Sequence, residues 1–268
     1  MRIRFLAAAP AADCATIPLK LFRRVLLNHG DQLSLLGGFV FSVGGDALLG
    51  ISAGSQRLLA FLAVRDQTMT RQRVAGTLWS ESTDERAAAS LRAAVARLQG
   101  PTRRAVQVTA DDMGLAAELI VDIQHAQALA RRLIDSDEPP LPEDIGSTAV
   151  AALSNDLLPG WYEDWAVIAN EDWRQLRMHA LESVAARLTA ADRLAEAAGA
   201  ALAAVRAEPL RESARAALIR VHIAEGKQAG ALAEFERYRV LLHADLALEP
   251  TSRLRSLLDE LVRSAPES

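Results

Sequence analysis

The chain has 268 residues, of which 50% are apolar, and a formal net charge of −4 at neutral pH. This length and composition predict a soluble protein of two domains, each large enough to bury a core. No apolar run is long enough to span a bilayer, so we expect no membrane partner. The single cysteine, Cys14, excludes an internal disulfide, and no Cys/His cluster has the spacing of metal ligands. We therefore expect a cytoplasmic protein without a cofactor or a metal.

The net charge is divided unevenly along the chain. Residues 1–120 hold 14 Arg or Lys against 10 Asp or Glu, whereas residues 121–268 hold 16 against 24. The two parts therefore carry +4 and −8. This division is typical of a chain whose first part meets a polyanion and whose second part does not.

The N-terminal region is predicted to contain a disordered extension and then a small sheet. Residues 1–32 show no clear periodicity, and we assign them to the extension. Across 33–51 apolar residues alternate and are interrupted by glycine pairs, which predicts two or three antiparallel strands with a tight turn at 44–46. An apolar helix is predicted over 55–64.

The segment 84–99 is the most informative part of the chain. Leu91, Val95 and Leu98 recur at i, i+4 and i+7, which predicts the buried face of a helix. The opposite face is basic and made of small residues, so it could lie close to a phosphate-lined groove. Arginines on a solvated helix face are also common in proteins that do not bind DNA.

The neighbours of this helix favour DNA binding. A second short helix is predicted just before it, over 70–79, and a strand is predicted to begin after it, at Arg103 and Arg104. A hairpin follows with arms at 106–108 and 115–119 and a tip at 110–114. The order of helix, turn, basic helix and hairpin predicts a winged helix-turn-helix domain over 33–120.

From residue 121 onward the pattern is almost entirely helical. We expect a helical domain over 121–263, followed by a tail at 264–268. Segments starting at Asp192 and Gly226 align at an offset of 34 residues, with Ala197 and Ala231 at equivalent positions. This is the tetratricopeptide period, so the second domain is predicted to be all-α and repeat-like. Helices are predicted at 122–134, 145–157, 162–190, 193–206, 211–225, 228–245 and 251–263.

The sequence also resembles a known family. Segments 35–39, 56–62, 74–79 and 90–98 resemble an OmpR-type winged helix, and segments 158–165, 208–220 and 238–250 resemble the bacterial transcriptional activator domain. Together they are similar to the antibiotic-regulatory-protein (SARP) class of transcriptional activators. The resemblance implies binding to direct repeats in promoters, with the third helix in the major groove and the wing in the minor groove. It also implies a homodimer, at least on DNA, and contact of the helical domain with RNA polymerase holoenzyme.

The candidate DNA contacts combine this resemblance with the basic helix face. Base contacts are expected from Arg86, Arg92 and Arg97, which favour guanine edges. Phosphate contacts are expected from arginines at the start of the second helix and at the base of the wing, where the alternative role is surface solubility. The complete set is Arg57, Arg71, Arg73, Arg86, Ser90, Arg92, Ala93, Arg97 and Arg104.

Two other functions stay open at this point. Alanines on the groove face and the two acids Asp111 and Asp112 near the wing tip favour an interaction protein that has weak or lost DNA binding and modulates another regulator. A small-molecule sensor would use Trp161, Trp165 and Trp173, although packing in the core is the favoured role of these side chains. We do not expect an enzyme, because the paired acids lack a nucleophile and no glycine-rich phosphate loop is present.

Overall fold

In a computed structural model, residues 30–135 and 141–263 are described. Most of the predicted extension, residues 1–29, and the predicted tail at 264–268 lie outside these ranges. The first strand, β1, covers Asp31–Ser34. The prediction of disorder was therefore wrong for Asp31 and Gln32, because both residues pair with the next strand.

The first sheet has the strand order β3 (Asp46–Ala47), β2 (Val40–Val43), β1 and β7 (Ile120–Val121). β1 pairs antiparallel with β2, which pairs antiparallel with β3. Gly44 and Gly45 connect β2 to β3 with φ values of 61° and 96°, a conformation that favours glycine. On β1, Leu33 faces Phe41 of β2, and both side chains are buried, so this face of the sheet covers the core.

Three helices follow this sheet. Helix α1 covers Ala53–Arg65, and its apolar middle is buried. Strand β4, Met69–Thr70, leads into α2, Arg71–Leu78, where Thr70 is the N-cap. Helix α3 covers Asp84–Ala96. The predicted helices at 55–64, 70–79 and 84–99 are therefore all present, with ends that differ by a few residues.

The segment around Arg103 and Arg104 differs from the prediction. These residues form the last turn of a short helix, α4, Gly100–Arg104, and not the start of a strand. Pro101 occupies the first turn, where a missing N–H has no cost. The Gln99 N–H donates to the Thr102 hydroxyl at 3.1 Å, and that hydroxyl donates to the Gln99 carbonyl at 2.9 Å. These local signals start a helix in spite of the alternating pattern that follows.

The second sheet contains the predicted hairpin, but in a different register. β5, Val106–Val108, pairs with β6, Asp112–Leu115, and β6 also pairs with β4. The predicted arm at 115–119 and tip at 110–114 were wrong, because Met113 is buried opposite Met69 within the sheet. The turn consists of residues 109–111.

The second part of the chain is helical, as predicted. Ala197 and Ala231, the equivalent positions of the predicted 34-residue repeat, are both fully buried. The predicted helix at 145–157 is shorter than expected, because the chain after Leu153 leaves the helix and returns to the first sheet. The helices are α5, Asp122–Ile134; a 3-10 turn, Pro142–Ile145; α6, Ser147–Leu153; α7, Asp164–Ala190; α8, Leu194–Ala207; α9, Glu212–Ala224; α10, Gln228–Leu246; and α11, Ser252–Arg263.

The two parts share one hydrophobic core. Strand β7, Ile120–Val121, pairs parallel with β1 and runs directly into α5, so Val121 belongs to the first sheet and not to the helical part. A β-bridge joins Leu36 to Leu157, and the Leu158 N–H donates to the Leu35 carbonyl at 2.9 Å.

Aromatic rings continue this core at the junction. Trp161 stacks on Phe39 and meets Trp165 edge-on, and Trp165 in turn packs against Phe61. Trp161 and Trp165 therefore pack between the two parts, and Trp173 is buried and donates its Nε1–H to the Asn155 carbonyl at 2.9 Å. Within residues 30–135 and 141–263, no helix combines the length and apolarity that crossing a membrane requires.

Candidate nucleic-acid interface

Helix α3 is held in place by close packing against α1. A Cβ atom at Gly54 would lie 3.7 Å from the Cβ of Ala94, so the two helices approach closely at this point. The Ser55 hydroxyl donates to the Ala94 carbonyl at 2.9 Å, and Leu91 and Leu98 are buried on the same side. The orientation of α3, and therefore the face that it exposes, is fixed by the core.

The exposed face of α3 has the composition that the sequence predicts. Arg86, Ala93 and Arg97 are exposed and Ser90 is half-buried, while Val95, predicted for the buried face, is only partly covered. Because these exposed positions are spaced by three or four residues, they form a single stripe about 16 Å long. Further exposed positions of this helix are Ala89, Arg92 and Ala96.

The arginines on this stripe are available for a ligand. In the part of the chain that the structure describes, Arg86 and Arg97 on the stripe and Arg92 beside it make no ion pair. The alanines between them leave the backbone of α3 close to the surface. Long cations and short neutral side chains thus alternate along one fixed face.

The start of α2 lies beside the tip of the hairpin. The Arg71 N–H donates to the Asp111 carbonyl at 2.8 Å, which ties the helix to the turn. The Thr70 hydroxyl accepts from the Arg73 N–H at 3.3 Å, and the Arg73 side chain is exposed. Arg71 and Arg73 therefore flank a helix N-terminus, where backbone N–H groups favour anions.

Acidic groups lie close to these arginines. A cleft of about 680 Å³ separates α2 from α3, and its walls include Arg71, Arg92, Asp84, Glu85 and Asp111. Asp84 and Glu85 occupy the first turn of α3, where a negative charge stabilises the helix. A polyanion that approaches this cleft therefore meets both positive and negative side chains. To bind, its phosphates must lie near the arginines and away from the acids.

The hairpin and its base contribute one further arginine. Its tip is closed by a bond of 2.9 Å from the Thr109 N–H to the Asp112 carbonyl. Arg104 lies at the base with a side chain that is 67% exposed, and it contacts Asp31 only at 3.5 Å. The Arg104 guanidinium is therefore weakly held and can reach a ligand.

Arg57 has a different environment from the other predicted contacts. Its Nε donates to Glu163 Oε1 at 2.9 Å, and Glu163 is the N-cap residue of α7. This ion pair gives Arg57 a partner in the helical part. We therefore do not count Arg57 among the DNA contacts and assign it to the junction between the two parts.

The sequence interpretation missed the polar contacts of that junction. The Asp122 carboxylate accepts from the N–H groups of Leu35, Leu36 and Ile123 at 2.8, 3.1 and 2.7 Å. Burial raises the pKa of Asp122 above its usual value, although the three N–H donors act in the opposite direction. An Asp at the start of a strongly amphipathic helix was the available signal, but its partners lie 86 and 87 residues away.

The helical part defines the class of protein. The family model described as the bacterial transcriptional activator domain matches residues 120–262, which is more than half of the chain. The chain therefore belongs to the bacterial transcriptional activator domain family, whose members are transcription regulators.

A solved structure shows the same fold over most of the chain. It is Mycobacterium tuberculosis EmbR in complex with a low-affinity phosphopeptide, with a TM-score of 0.62 and 18% sequence identity. The match covers 90% of this chain and 67% of EmbR. A comparison with curated proteins found no match.

Proposed function

We propose that the chain is a sequence-specific DNA-binding transcriptional activator of the antibiotic-regulatory-protein class. In this proposal α2 and α3 form an OmpR-type helix-turn-helix, and the β5–β6 hairpin is its wing. The observation that carries the proposal is the exposed Arg/Ala stripe of α3, whose opposite side is locked into the core through Leu91 and Ala94. Membership of a transcription-regulator family supports it.

Helix α3 would enter the major groove. Its small residues, Ser90 and Ala93, allow the helix backbone to approach the bases, and Arg86, Arg92 and Arg97 can each donate two hydrogen bonds to a guanine edge. Arg86 lies in the N-terminal half of the helix, the part that reads bases in helix-turn-helix proteins. Specific contact therefore depends on arginine–guanine pairs.

Phosphate contacts would fix the protein on the duplex. In this proposal the phosphate contacts come from Arg71 and Arg73 at the start of α2 and from the exposed Arg104 at the base of the hairpin. The wing would approach the adjacent minor groove, where Asp111 in its turn and Asp112 at the start of β6 repel phosphates. We therefore expect modest affinity for a single site and a benefit from adjacent direct repeats.

The helical part would supply the protein contacts of an activator. Its net charge of −8 is unsuited to DNA, and stacked helical repeats form extended protein-binding surfaces. We propose that it contacts RNA polymerase holoenzyme and supports a homodimer on promoter direct repeats, in the cytoplasm. No catalytic step is part of this proposal.

The test compares duplexes in a gel-shift titration. The full chain is titrated with DNA from upstream of its own gene and with random duplex of equal length. Binding to one upstream region that exceeds random binding by at least ~10³-fold supports the proposal. Weak and equal binding to every duplex, with or without RNA polymerase holoenzyme, contradicts it.

One alternative function is favoured by a specific observation. The acids at the hairpin tip and at the start of α3 favour an interaction protein that has lost productive DNA binding and acts on another regulator. In that case the variants Asp111→Asn and Asp84→Asn would leave DNA binding equally weak. If the activator proposal is correct, removing either charge raises affinity for all duplexes.

A further inference from the structure

Two clefts lie side by side along helix α9 in the helical part. The first, about 340 Å³, lies between α7 and α9, and the second, about 190 Å³, lies between α9 and α11. Ser213 and Arg220 line both clefts, so the two are adjacent on either side of α9 and together extend from α7 to α11. We call this the α9 groove. Its other lining residues are Glu182, Ala186, Thr189, Ala190 and Ala217 in the first cleft, and Glu212, Ala216, Arg253, Leu254 and Leu257 in the second.

Small side chains shape the bottom of the groove. Ala186 and Ala190 belong to α7, and Ala216 and Ala217 belong to α9. Because alanine ends at Cβ, these positions leave shallow depressions between neighbouring helices. Depressions of this kind, repeated at successive helix pairs, suit the side chains of an extended peptide better than one compact ligand.

The acidic residues of the groove already have partners. Glu182 accepts from Arg211 Nε at 2.8 Å and from the Ser213 hydroxyl at 2.7 Å. Glu212 accepts from the Thr251 N–H at 2.9 Å and from the Thr251 hydroxyl. The charge of Glu182 is therefore balanced by Arg211, whereas Glu212 keeps its negative charge because both of its donors are neutral.

The basic residues of the groove are free. Arg220 and Arg253 are exposed, and neither makes an ion pair or a side-chain hydrogen bond with any residue in 30–135 or 141–263. Two unpaired cations thus face one groove in the part of the chain whose net charge is −8. Their charge is complementary to carboxylates, which arginine can bind through paired hydrogen bonds.

We propose that the α9 groove binds an extended acidic peptide segment of a partner protein. Carboxylates of the peptide pair with Arg220 and Arg253, and its small or apolar side chains enter the depressions above the alanines. Arginine is suited to this role because its planar fork binds a carboxylate through two hydrogen bonds. The inference rests on the proposed protein-binding role of the helical part and names the chemistry of the partner.

The test is a peptide selection on the intact chain. A displayed library of random ten-residue peptides without cysteine is selected on the full-length protein in the absence of DNA. Affinities of the most enriched peptides are then measured by fluorescence anisotropy with the unchanged chain and with variants. We expect Asp or Glu to dominate at two or more positions of the enriched peptides.

The variants locate the site. Arg220→Gln and Arg253→Gln should each weaken binding about tenfold, the loss of one charge-assisted hydrogen-bonded pair. Arg220→Lys, which keeps the charge, should lose less. The matched control is Arg206→Gln, since Arg206 is an exposed arginine of α8 that lines neither cleft.

Three outcomes would overturn the proposal. They are enrichment of peptides without acidic residues, affinities that the two groove variants leave unchanged, and tighter peptide binding after deletion of residues 264–268. The last would identify segment 264–268 of this chain as the occupant. DNA binding by the same variants is measured in parallel and should be unchanged, so failure of the peptide site is distinguishable from failure of the DNA-binding proposal.

Discussion

The Asp122 carboxylate accepts the N–H of Leu35 at 2.8 Å, joining positions 87 residues apart in the chain. Leu35 follows β1, and Asp122 begins α5, so this bond links the first strand to the first helix of the helical part. The same carboxylate accepts the Ile123 N–H at 2.7 Å in the first turn of α5. One side chain therefore pairs an N–H group of α5 and also fixes the sheet against this helix.

Substitution of Asp122 tests the contribution of this link to stability. Asp122→Ala leaves three partly buried N–H groups without their acceptor, and we expect unfolding free energy to fall by about 2–3 kcal/mol. Asp122→Asn, which retains one acceptor oxygen, should lose less. Urea unfolding measures both; equal stability of Asp122→Ala and the unchanged chain would contradict this role.

Replacement of Arg57 tests its assignment to the junction. Because Arg57 is paired with Glu163, Arg57→Ala should change DNA affinity by less than about twofold. The two side chains are about one third exposed, so the pair should contribute at most about 1 kcal/mol. A double-mutant cycle with Glu163→Ala measures that coupling. A uniform loss of affinity on all duplexes would instead place Arg57 on the DNA.

The exposed stripe of α3 is tested by Arg97→Ala. Loss of one arginine–guanine contact should reduce affinity for the specific duplex about 10- to 100-fold, corresponding to about 1–3 kcal/mol. Binding to random duplex should change much less. Because the side chain is exposed, the circular dichroism spectrum and melting temperature should be unchanged. Arg206→Ala serves as the control, and equal specific affinity for the two variants would contradict the assignment.

Gly114 in the hairpin and Gly199 in α8 provide a matched pair of glycine substitutions, one at a close contact and one in open space. A Cβ at Gly114 would lie 3.2 Å from the Thr68 hydroxyl oxygen and 3.5 Å from its Cα, so Gly114→Ala should destabilise the protein by about 1 kcal/mol or more. At Gly199, within α8, a Cβ meets nothing within 4 Å, so Gly199→Ala should stabilise it by about 0.5–1 kcal/mol. Thermal unfolding distinguishes the two; the same sign for both would be inconsistent with this packing.

The sequence predicted the helices well because their signals are local. Apolar periodicity placed α5 at 122–134, and the offset between Ala197 and Ala231 identified the repeat. The errors lie where a local signal was overlooked or where a residue distant in the sequence determines the strand pairing. Pro101 starts α4 in place of a strand, and the pairing of Met113 with Met69 sets the hairpin register.

The candidate site was predictable to a similar extent. Helical spacing alone placed Arg86, Ala93 and Arg97 on one exposed face. The partner of Arg57 was not predictable, because Glu163 is 106 residues away and reaches it only through the shared core. That Arg220 makes no ion pair with the described residues was not predictable either, because it depends on which neighbouring acids are already paired.

The most direct test of the account is the salt dependence of duplex binding by the full chain. Anisotropy titrations with the upstream duplex are repeated between about 50 and 200 mM salt. Contacts from Arg71, Arg73 and Arg104 predict that log K falls linearly with log salt, with a slope of about −3 per protomer, and that specific affinity exceeds random affinity throughout. A slope near zero, or equal affinity for specific and random duplex at every salt concentration, would contradict DNA recognition by this surface.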